Sequence, residues 1–262
     1  MNYFFFLDHP DKSLEPIIEL YNRAPMDLYF SERKTSKFIY LFYIKNQTWN
    51  NELYGSIDYN QSIKIRKSDL RKELRDKSVF ISITSQNLEP EQPPFNDNSM
   101  KSIPAWRSNI KISSEYTSTS YQGEIPGSFL NLNLSLTSCS PFLQFEENIE
   151  NFFYLINFHN NPIRQKFELE ILDTKKKLLH KTYFETNKVN IINLKFLENV
   201  KHSNEYMYVF RSKDYGGIPL YFSRTTNNKS FSLEHTHPPQ EYLFLGNRNF
   251  YQKKKKSYWL DD

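Results

Sequence analysis

The chain has 262 residues and a formal net charge of +4, from 34 lysines and arginines against 30 aspartates and glutamates. Four of the lysines are consecutive, Lys253 to Lys256, and without them the acids and the bases balance. The rest of the chain therefore lacks the excess of positive charge that marks a nucleic-acid surface, and we expect no specific nucleic-acid partner. The length allows one large domain or two domains of about 100 to 150 residues.

Cysteine content and hydropathy predict the compartment. Cys139 is the only cysteine, so no disulfide can form within the chain, as is typical of a reducing environment. The first residues, MNYFFFLDHPDK, lack the basic start and the longer apolar run of a signal peptide. No segment approaches the run of about 18 apolar residues that a membrane span needs. We expect a cytoplasmic protein with no membrane span.

In chain order, the first predicted element is SLEPIIELYNRA (13–24), which has a weak helical pattern. FIYLFYI (38–44) follows, and its aromatic and β-branched residues predict a strand. KSDLRKELRDK (67–77) has a serine that can cap a helix and leucines four residues apart, which predicts a short helix. SVFISIT (78–84) predicts a strand, and the proline-rich EPEQPPFNDNSMKS (89–102) predicts a loop.

Further strands follow along the chain. FLNLNLSL (129–136) has an apolar residue at every second position, and this period of two is typical of a strand with one buried face. TSCSPF (137–142) interrupts the pattern, and we interpret it as the junction between two domains. FFYLINF (152–158), KFELEIL (166–172) and EYMYVF (205–210) predict three more strands. Because the helical segments are few and short, we expect an all-β fold.

An internal duplication is suggested by short matches that occur in the same order in both halves of the chain. The matched segments are KFIYLFYIKN (37–46) with NFFYLINFHN (151–160), IKIRKSDLRKEL (63–74) with VNIINLKFLENV (189–200), SVFISITS (78–85) with EYMYVFRS (205–212), SIPAWRS (102–108) with GIPLYFS (217–223), SSEYTS (113–118) with SLEHTH (232–237), and FLNL (129–132) with YLFL (242–245). The alternative is two unrelated β domains whose strands have similar patterns.

Each repeat has the length and the strand content of an immunoglobulin-like sandwich, about 100 residues with seven or more strands. We therefore predict two tandem immunoglobulin-like β-sandwich units related by internal duplication, with one or two short helices. The predicted divisions are an N-terminal segment that packs on the first unit (1–27), the first unit (28–138), the second unit (139–248) and a basic C-terminal tail (249–262).

The segment SLEHTHPPQEY contains four candidate metal ligands, Glu234, His235, His237 and Glu241. The two histidines are two residues apart, so on a strand both imidazoles would point to the same face. The spacing H-x-H-x3-E resembles the first metal motif of the cupins, a β-barrel family whose ligands are two histidines, a glutamate and a later histidine. The resemblance implies a divalent ion, Zn, Fe or Mn, as the alternative to a protein without a cofactor. No histidine follows Glu241 in this chain.

A second candidate site lies in EYTSTSYQGE (115–124), which mixes tyrosine, hydroxyl, amide and carboxylate side chains as sugar-binding loops do. Glu115, Tyr121 and Glu124 are its candidate ligand-binding residues, together with the preceding Trp106. Aromatic faces can stack on a sugar while carboxylates accept hydrogen bonds from its hydroxyls. The structural alternative is a polar edge strand, and a pair of glutamates also allows a glycosidase.

Sequence signatures of common catalytic sites are absent: there is no glycine-rich phosphate loop, no G-x-S-x-G, no H-E-x-x-H and no cysteine cluster. We therefore expect a non-catalytic β-sandwich protein that works in binding or assembly, with a glycan or another protein as its partner. The alternative is a metal-binding protein or a metal-dependent enzyme with the cupin-like cluster in the second unit.

Overall fold

The structure is a computed structural model that describes residues 2–22, 35–95, 108–127, 130, 135–200, 207–235 and 257–260. It confirms the predicted all-β class, because seventeen strands and only short helical segments make up the regular structure of these residues. The chain divides into two compact units. Unit 1 comprises Met1–Leu132 and Phe158–Arg164, and unit 2 comprises Asn133–Asn157 and Gln165–Asp262.

The described residues of unit 1 form nine strands in two antiparallel sheets. The strands are β1 (Asn2–Phe5), β2 (Glu15–Tyr21), β3 (Lys37–Lys45), β4 (Thr48–Ile57), β5 (Ser62–Arg66), β6 (Phe80–Thr84), β7 (Asn109–Ser113), β8 (Ser118–Gln122) and β9 (Ile125–Pro126). One sheet has the order β4-β3-β6-β1-β9 and the other β5-β2-β7-β8. Between β5 and β6 lie a 3₁₀ helix (Lys67–Asp69) and helix α1 (Lys72–Arg75).

In the part of unit 2 that the structure describes there are eight strands, also in two antiparallel sheets. The strands are β10 (Leu136–Cys139), β11 (Ile149–Asn157), β12 (Lys166–Leu172), β13 (Leu178–Glu185), β14 (Lys188–Asn193), β15 (Val209–Ser212), β16 (Ile218–Thr225) and β17 (Phe231–His235). The sheet orders are β10-β15-β12-β13 and β14-β11-β16-β17. A 3₁₀ helix (Lys195–Asn199) follows β14.

The two units have the same strand order when their strands are counted from the first. In both, the second strand neighbours the fifth and the third neighbours the sixth, as strands B with E and C with F do in an immunoglobulin sandwich. The first strand, however, pairs with the sixth and the seventh with the second, which exchanges the outer strands of the immunoglobulin arrangement. A common strand order is consistent with a duplication and also with two unrelated sandwiches, so the duplication stays a prediction.

The common strand order also tests how the matched segments were paired. In strand order β5 corresponds to β14 and β6 corresponds to β15, in agreement with the second and third matches. In strand order β11 corresponds to β2. The first match instead paired β11 with β3, so it is shifted by one strand. In strand order β17 corresponds to β8, whereas the fifth match paired β17 with the turn before β8. The fourth and sixth matches lie largely outside the described residues in one or both copies. Strands of similar composition are easily confused when only their sequence pattern is compared.

The N-terminal segment, predicted as 1–27, supplies two strands of the sandwich. β1 pairs with β6 and β9, and β2 pairs with β5 and β7, so both lie inside sheets. The helix predicted over 13–24 is wrong because β2 is an internal strand whose Ile18 and Leu20 are fully buried. The helix predicted over 67–77 is present as two short pieces.

One other predicted boundary, at 138/139, lies within the described residues, whereas the boundary at 248/249 lies outside them. The division at 138/139 passes through β10, whose four residues all pair with β15. In the predicted basic tail, residues 257–260 are helical and held on unit 2. Arg211 Nη1 donates a hydrogen bond of 2.9 Å to the carbonyl oxygen of Trp259, and the Lys176 ammonium lies 4.1 Å from the centre of the Tyr258 ring. These two contacts hold Tyr258 and Trp259 against unit 2.

Each unit buries a separate core. In unit 1 the core contains aliphatic and aromatic residues from both sheets and from α1, among them Phe4, Ile18, Ile65, Leu74 and Ile81. Phe158 also belongs to unit 1, and its ring centre lies 4.1 Å from that of Phe80 and 4.7 Å from that of Tyr3. In unit 2 the core is built around Phe153, whose ring stacks on Phe210 at 4.1 Å.

Candidate functional site

Of the residues predicted to bind a glycan, the structure describes Glu115, Tyr121 and Glu124, which lie in or beside the β7–β8 hairpin of unit 1. Tyr121 lies in β8, and its ring packs over Gly123, where an added β-carbon would overlap the ring. Burial, reinforced by the negative charge of Glu124, raises the pKa of the Tyr121 hydroxyl to about 12. Glu124 Oε1 accepts a hydrogen bond of 3.0 Å from Asn2 Nδ2. Trp106 lies outside the described residues.

Glu115 and Glu124 lie beyond opposite ends of β8. Glu115 is in the turn between β7 and β8, whereas Glu124 follows the strand. A strand of five residues spans about 13 Å at about 3.3 Å per residue, which exceeds the separation of about 5 to 9 Å between glycosidase carboxylates. The geometry therefore disfavours this pair as a glycosidase site.

The metal hypothesis is only partly within the described residues. Glu234 and His235 are consecutive in β17, so their side chains point to opposite faces of the strand. His237 and Glu241 lie outside the described residues. Within the part of the chain that the structure describes, no group of three or more His, Cys, Asp or Glu residues is arranged to hold a metal ion. The metal site stays a prediction.

A cavity of about 290 Å³ lies on unit 2, where the loop before β11 meets β16 and β17. Phe142 from the loop lies at this cavity and is 63% exposed, and the half-buried Phe231 at the start of β17 also lines it. The exposed Phe142 ring offers apolar area that a ligand can cover, and covering apolar area is favourable in water. The two rings make this side of the cavity apolar.

Polar side chains in fixed positions complete the cavity. Asn151 in β11 and Ser223 in β16 are directly opposite in the antiparallel pair. Ser223 Oγ donates a hydrogen bond of 2.6 Å to Asn151 Oδ1, and Asn151 Nδ2 donates one of 2.6 Å to the carbonyl oxygen of Gln144. Each polar group thereby has its orientation set by a neighbour, and the oxygen atoms keep lone pairs for a further donor.

The neighbouring cross-strand pair is Glu150 with Arg224. Arg224 Nε and Nη2 lie 2.9 and 2.7 Å from Glu150 Oε2, and its Nη1 donates to Asn228 Oδ1 at 3.0 Å. The guanidinium carbon is 5.6 Å from the centre of the Phe152 ring, and the Arg224 side chain is only 10% exposed. These contacts hold the charged pair rigidly beside the cavity.

A second cavity, of about 180 Å³, adjoins the first and shares Ile149 and Asn151 with it. Three carboxylates line it in addition to Glu150, from Glu146, Glu147 and Glu198, against the single ammonium of Lys195. We call the two cavities together the unit 2 groove. Its walls are aromatic at one end and acidic at the other.

Sequence reasoning missed this groove. Phe142 follows a serine and a proline in TSCSPF, which was interpreted as a domain junction. A large aromatic residue in an otherwise small and polar segment was the available signal. The remaining residues come from strands whose pairing the sequence does not show, so their convergence had no local signature.

Comparison with known protein families, with curated proteins and with solved structures gives no match to this chain. Within the described residues no helix is long and apolar enough to cross a membrane. The fold and the groove thus define a class, a two-unit β-sandwich protein with an aromatic and polar groove on its second unit.

Proposed function

We propose that the protein is a non-catalytic carbohydrate-binding protein and that the unit 2 groove binds a glycan. The observation that carries this proposal is the exposed Phe142 ring beside the half-buried Ser223, whose hydroxyl is oriented by the buried Asn151. A sugar ring has apolar C–H faces and a rim of hydroxyls, so it needs an aromatic surface together with fixed polar groups.

The hydrogen bonds inside the groove support binding by a preformed site. Because Asn151 is held by Gln144 and Ser223, its amide does not have to be ordered when a ligand arrives. Preorganisation of this kind lowers the entropic cost of association. The ionic pair of Glu150 and Arg224 is fixed in the same way and offers charge-assisted hydrogen bonds to hydroxyl groups.

The charge of the groove predicts which glycans it prefers. Glu146, Glu147 and Glu198 surround one end, with only Lys195 to balance them. Like charges brought together in a partly desolvated site repel one another. A neutral sugar or an amino sugar is therefore expected to bind better than one that carries a carboxylate or a sulfate.

The proposal is tested by screening the purified full chain on a glycan array and titrating the best glycan by calorimetry. Phe142→Ala removes the stacking surface, and we expect affinity to fall roughly tenfold because an aromatic contact of this kind contributes about 1 to 2 kcal/mol. The matched control is Tyr183→Ala on β13, whose ring is also 63% exposed but does not line the groove. This control should bind as the wild type does.

Two results would contradict the proposal. One is the absence of any glycan that binds the wild-type chain. The other is an equal loss of affinity in Phe142→Ala and Tyr183→Ala, since that would show a general effect of removing an exposed ring. If a peptide bound saturably to the wild type and not to Phe142→Ala, the ligand of the groove would be a protein rather than a glycan.

A further inference from the structure

The position immediately after the fifth strand differs between the two units. In unit 2 it is Leu194, which is completely buried in the apolar core. In unit 1 it is Lys67, which is only 6% exposed. A buried lysine is expensive because its ammonium loses its water. The strand order is shared, but the residue that follows the fifth strand is apolar in unit 2 and charged in unit 1.

Several groups compensate the buried charge of Lys67. Its Nζ lies 3.0 and 3.1 Å from the two carboxylate oxygens of Asp8, and donates at 2.5 Å to the carbonyl oxygen of Lys77. It also lies 5.0 Å from the centre of the Phe6 ring. A buried ion pair of this kind gives little or no stability compared with apolar residues of the same volume. Stability alone therefore does not account for the pair.

The pair lies at a cavity of about 480 Å³, in the size range of small-molecule sites. Burial lowers the pKa of the Lys67 ammonium and raises that of the Asp8 carboxyl, despite their mutual attraction. Oppositely perturbed groups in a cleft are typical of functional sites.

Three more cations line the same cavity, Lys12, Lys72 and Arg75. Lys72 and Arg75 are three residues apart on α1 and so lie on the same side of it. Arg75 Nε donates to the carbonyl oxygen of Leu70 at 2.7 Å, which orients its guanidinium. Lys12 is 3.8 Å from Asp76, but both side chains are more than four-fifths exposed, so this ion pair is weak.

The acidic groups of the cavity leave positive charge in excess. Asp8 is neutralised by Lys67, and Glu15 Oε1 accepts the backbone N–H of Ser68 at 3.0 Å. With Asp76 these are the three carboxylates of the lining, against four lysine and arginine side chains. The second cavity of the unit 2 groove has the opposite balance, because apart from Glu150, which pairs with Arg224, its lining has three carboxylates against one ammonium.

We propose that this cavity of unit 1 is an anion-binding site for a phosphate or sulfate group, held by Lys12, Lys72 and Arg75 above the Asp8–Lys67 pair. The guanidinium of Arg75 offers two parallel donors to an oxyanion, and the lysines add point charges. The site is separate from the unit 2 groove and does not depend on the glycan proposal.

Calorimetric titration of the full chain at constant ionic strength tests the site, with inorganic phosphate, inorganic sulfate and a sugar phosphate monoester as probes. We expect saturable binding of at least one of them. Tighter binding of the monoester identifies an esterified ligand, and tighter binding of an inorganic ion identifies the free anion.

The double variant Lys72→Ala/Arg75→Ala should weaken this binding at least about tenfold, since two charge-assisted contacts are lost. The matched control is Lys45→Ala, which removes one positive charge at the end of β3 and lies outside the cavity lining. Equal affinity in the double variant and the wild type would overturn the proposal, as would the absence of saturable binding by all three probes. Circular dichroism checks that each variant is folded.

The double variant Asp8→Leu/Lys67→Leu tests whether the Asp8–Lys67 pair contributes to anion binding, because it replaces both charged side chains by apolar ones. We expect it to fold and to lose affinity for the anion, since the cation at the bottom of the cavity is gone. A folded variant that binds the anion as tightly as the wild type would show that the Asp8–Lys67 pair takes no part in anion binding. Glycan binding by the unit 2 groove should be unchanged in every one of these variants.

Discussion

The first eight strands of unit 1 and the eight described strands of unit 2 have the same order, but the two units differ in the residue that follows the fifth strand. The residue after the fifth strand is a buried lysine paired with an aspartate in unit 1, and a buried leucine in unit 2. The cavities beside this residue also differ in charge: the lining is basic in unit 1 and acidic in unit 2. The strands thus provide a common support, and the connecting segments decide what each unit can bind.

The largest expected effect comes from placing the unit 1 residue in unit 2. Leu194→Lys should lower the free energy of unfolding by about 4 kcal/mol, because it buries a charge among apolar residues and removes core contacts. Urea unfolding followed by circular dichroism measures the change. Leu194→Met, which keeps the volume, is the control and should cost less than about 1.5 kcal/mol. A tolerated lysine would mean that unit 2 can also supply a partner for it.

The reverse change in unit 1 should have a smaller effect. Lys67→Leu leaves the Asp8 carboxylate, whose side chain is 33% exposed, without its cation, which should cost about 2 kcal/mol at neutral pH. Asp8→Leu/Lys67→Leu should recover most of this loss, because it leaves no charge without a partner. If the double variant were as unstable as the single one, the loss of stability would not come from the unpaired Asp8 carboxylate.

The pH dependence of Lys67→Leu follows from the Asp8 carboxyl. Burial already raises its pKa above the ordinary value of 3.8, and Lys67 opposes that rise. Without Lys67 the pKa of Asp8 should rise further in the folded state. A raised pKa contributes stability below the unfolded-state value, and this is lost as the pH rises through the folded-state value. The deficit of the variant should therefore shrink as the solution is made acidic, and urea unfolding at a series of pH values checks this.

The smallest expected effect on the free energy of unfolding concerns the eighth strand of each unit, β8 in unit 1 and β17 in unit 2. β8 contains Tyr121, whose pKa is raised from 10.0 to about 12, whereas β17 contains no tyrosine. The stability from this shift is fully present below about pH 10 and is lost as the pH rises through about 12. Tyr121→Phe should show a shallower loss of stability over this interval than the wild type. Parallel unfolding curves for the two proteins would show that Tyr121 is exposed.

Local patterns predicted most of the strands. KFELEIL was predicted as a strand and forms β12 with the same bounds, because its alternation of apolar and charged residues fits one buried face and one exposed face. The prediction failed for residues 13–24, where Ile17 and Ile18 are adjacent and the strict alternation is lost. Only the position of β2 between β5 and β7 decides for a strand there.

The sites were less accessible to sequence reasoning. The predicted cluster around Tyr121 consists of residues close together in sequence, and in the structure they form the strand and turns of a hairpin edge. In the groove, by contrast, Phe142 comes from a loop and Phe231 from a later strand. No spacing rule connects them, because the antiparallel pairing of β11 with β16 and of β16 with β17 brings their segments together.

By itself the sequence determined the all-β class, the positions of many strands and the near balance of charge outside the lysine run. These properties depend on residue type and on a period of two, which act within a few residues. Only the tertiary structure decided which strands pair, that Lys67 meets Asp8, and which loops border a cavity. The reason is physical: the cost of burying a charge or exposing a ring depends on what lies opposite it, and those neighbours come from distant parts of the chain.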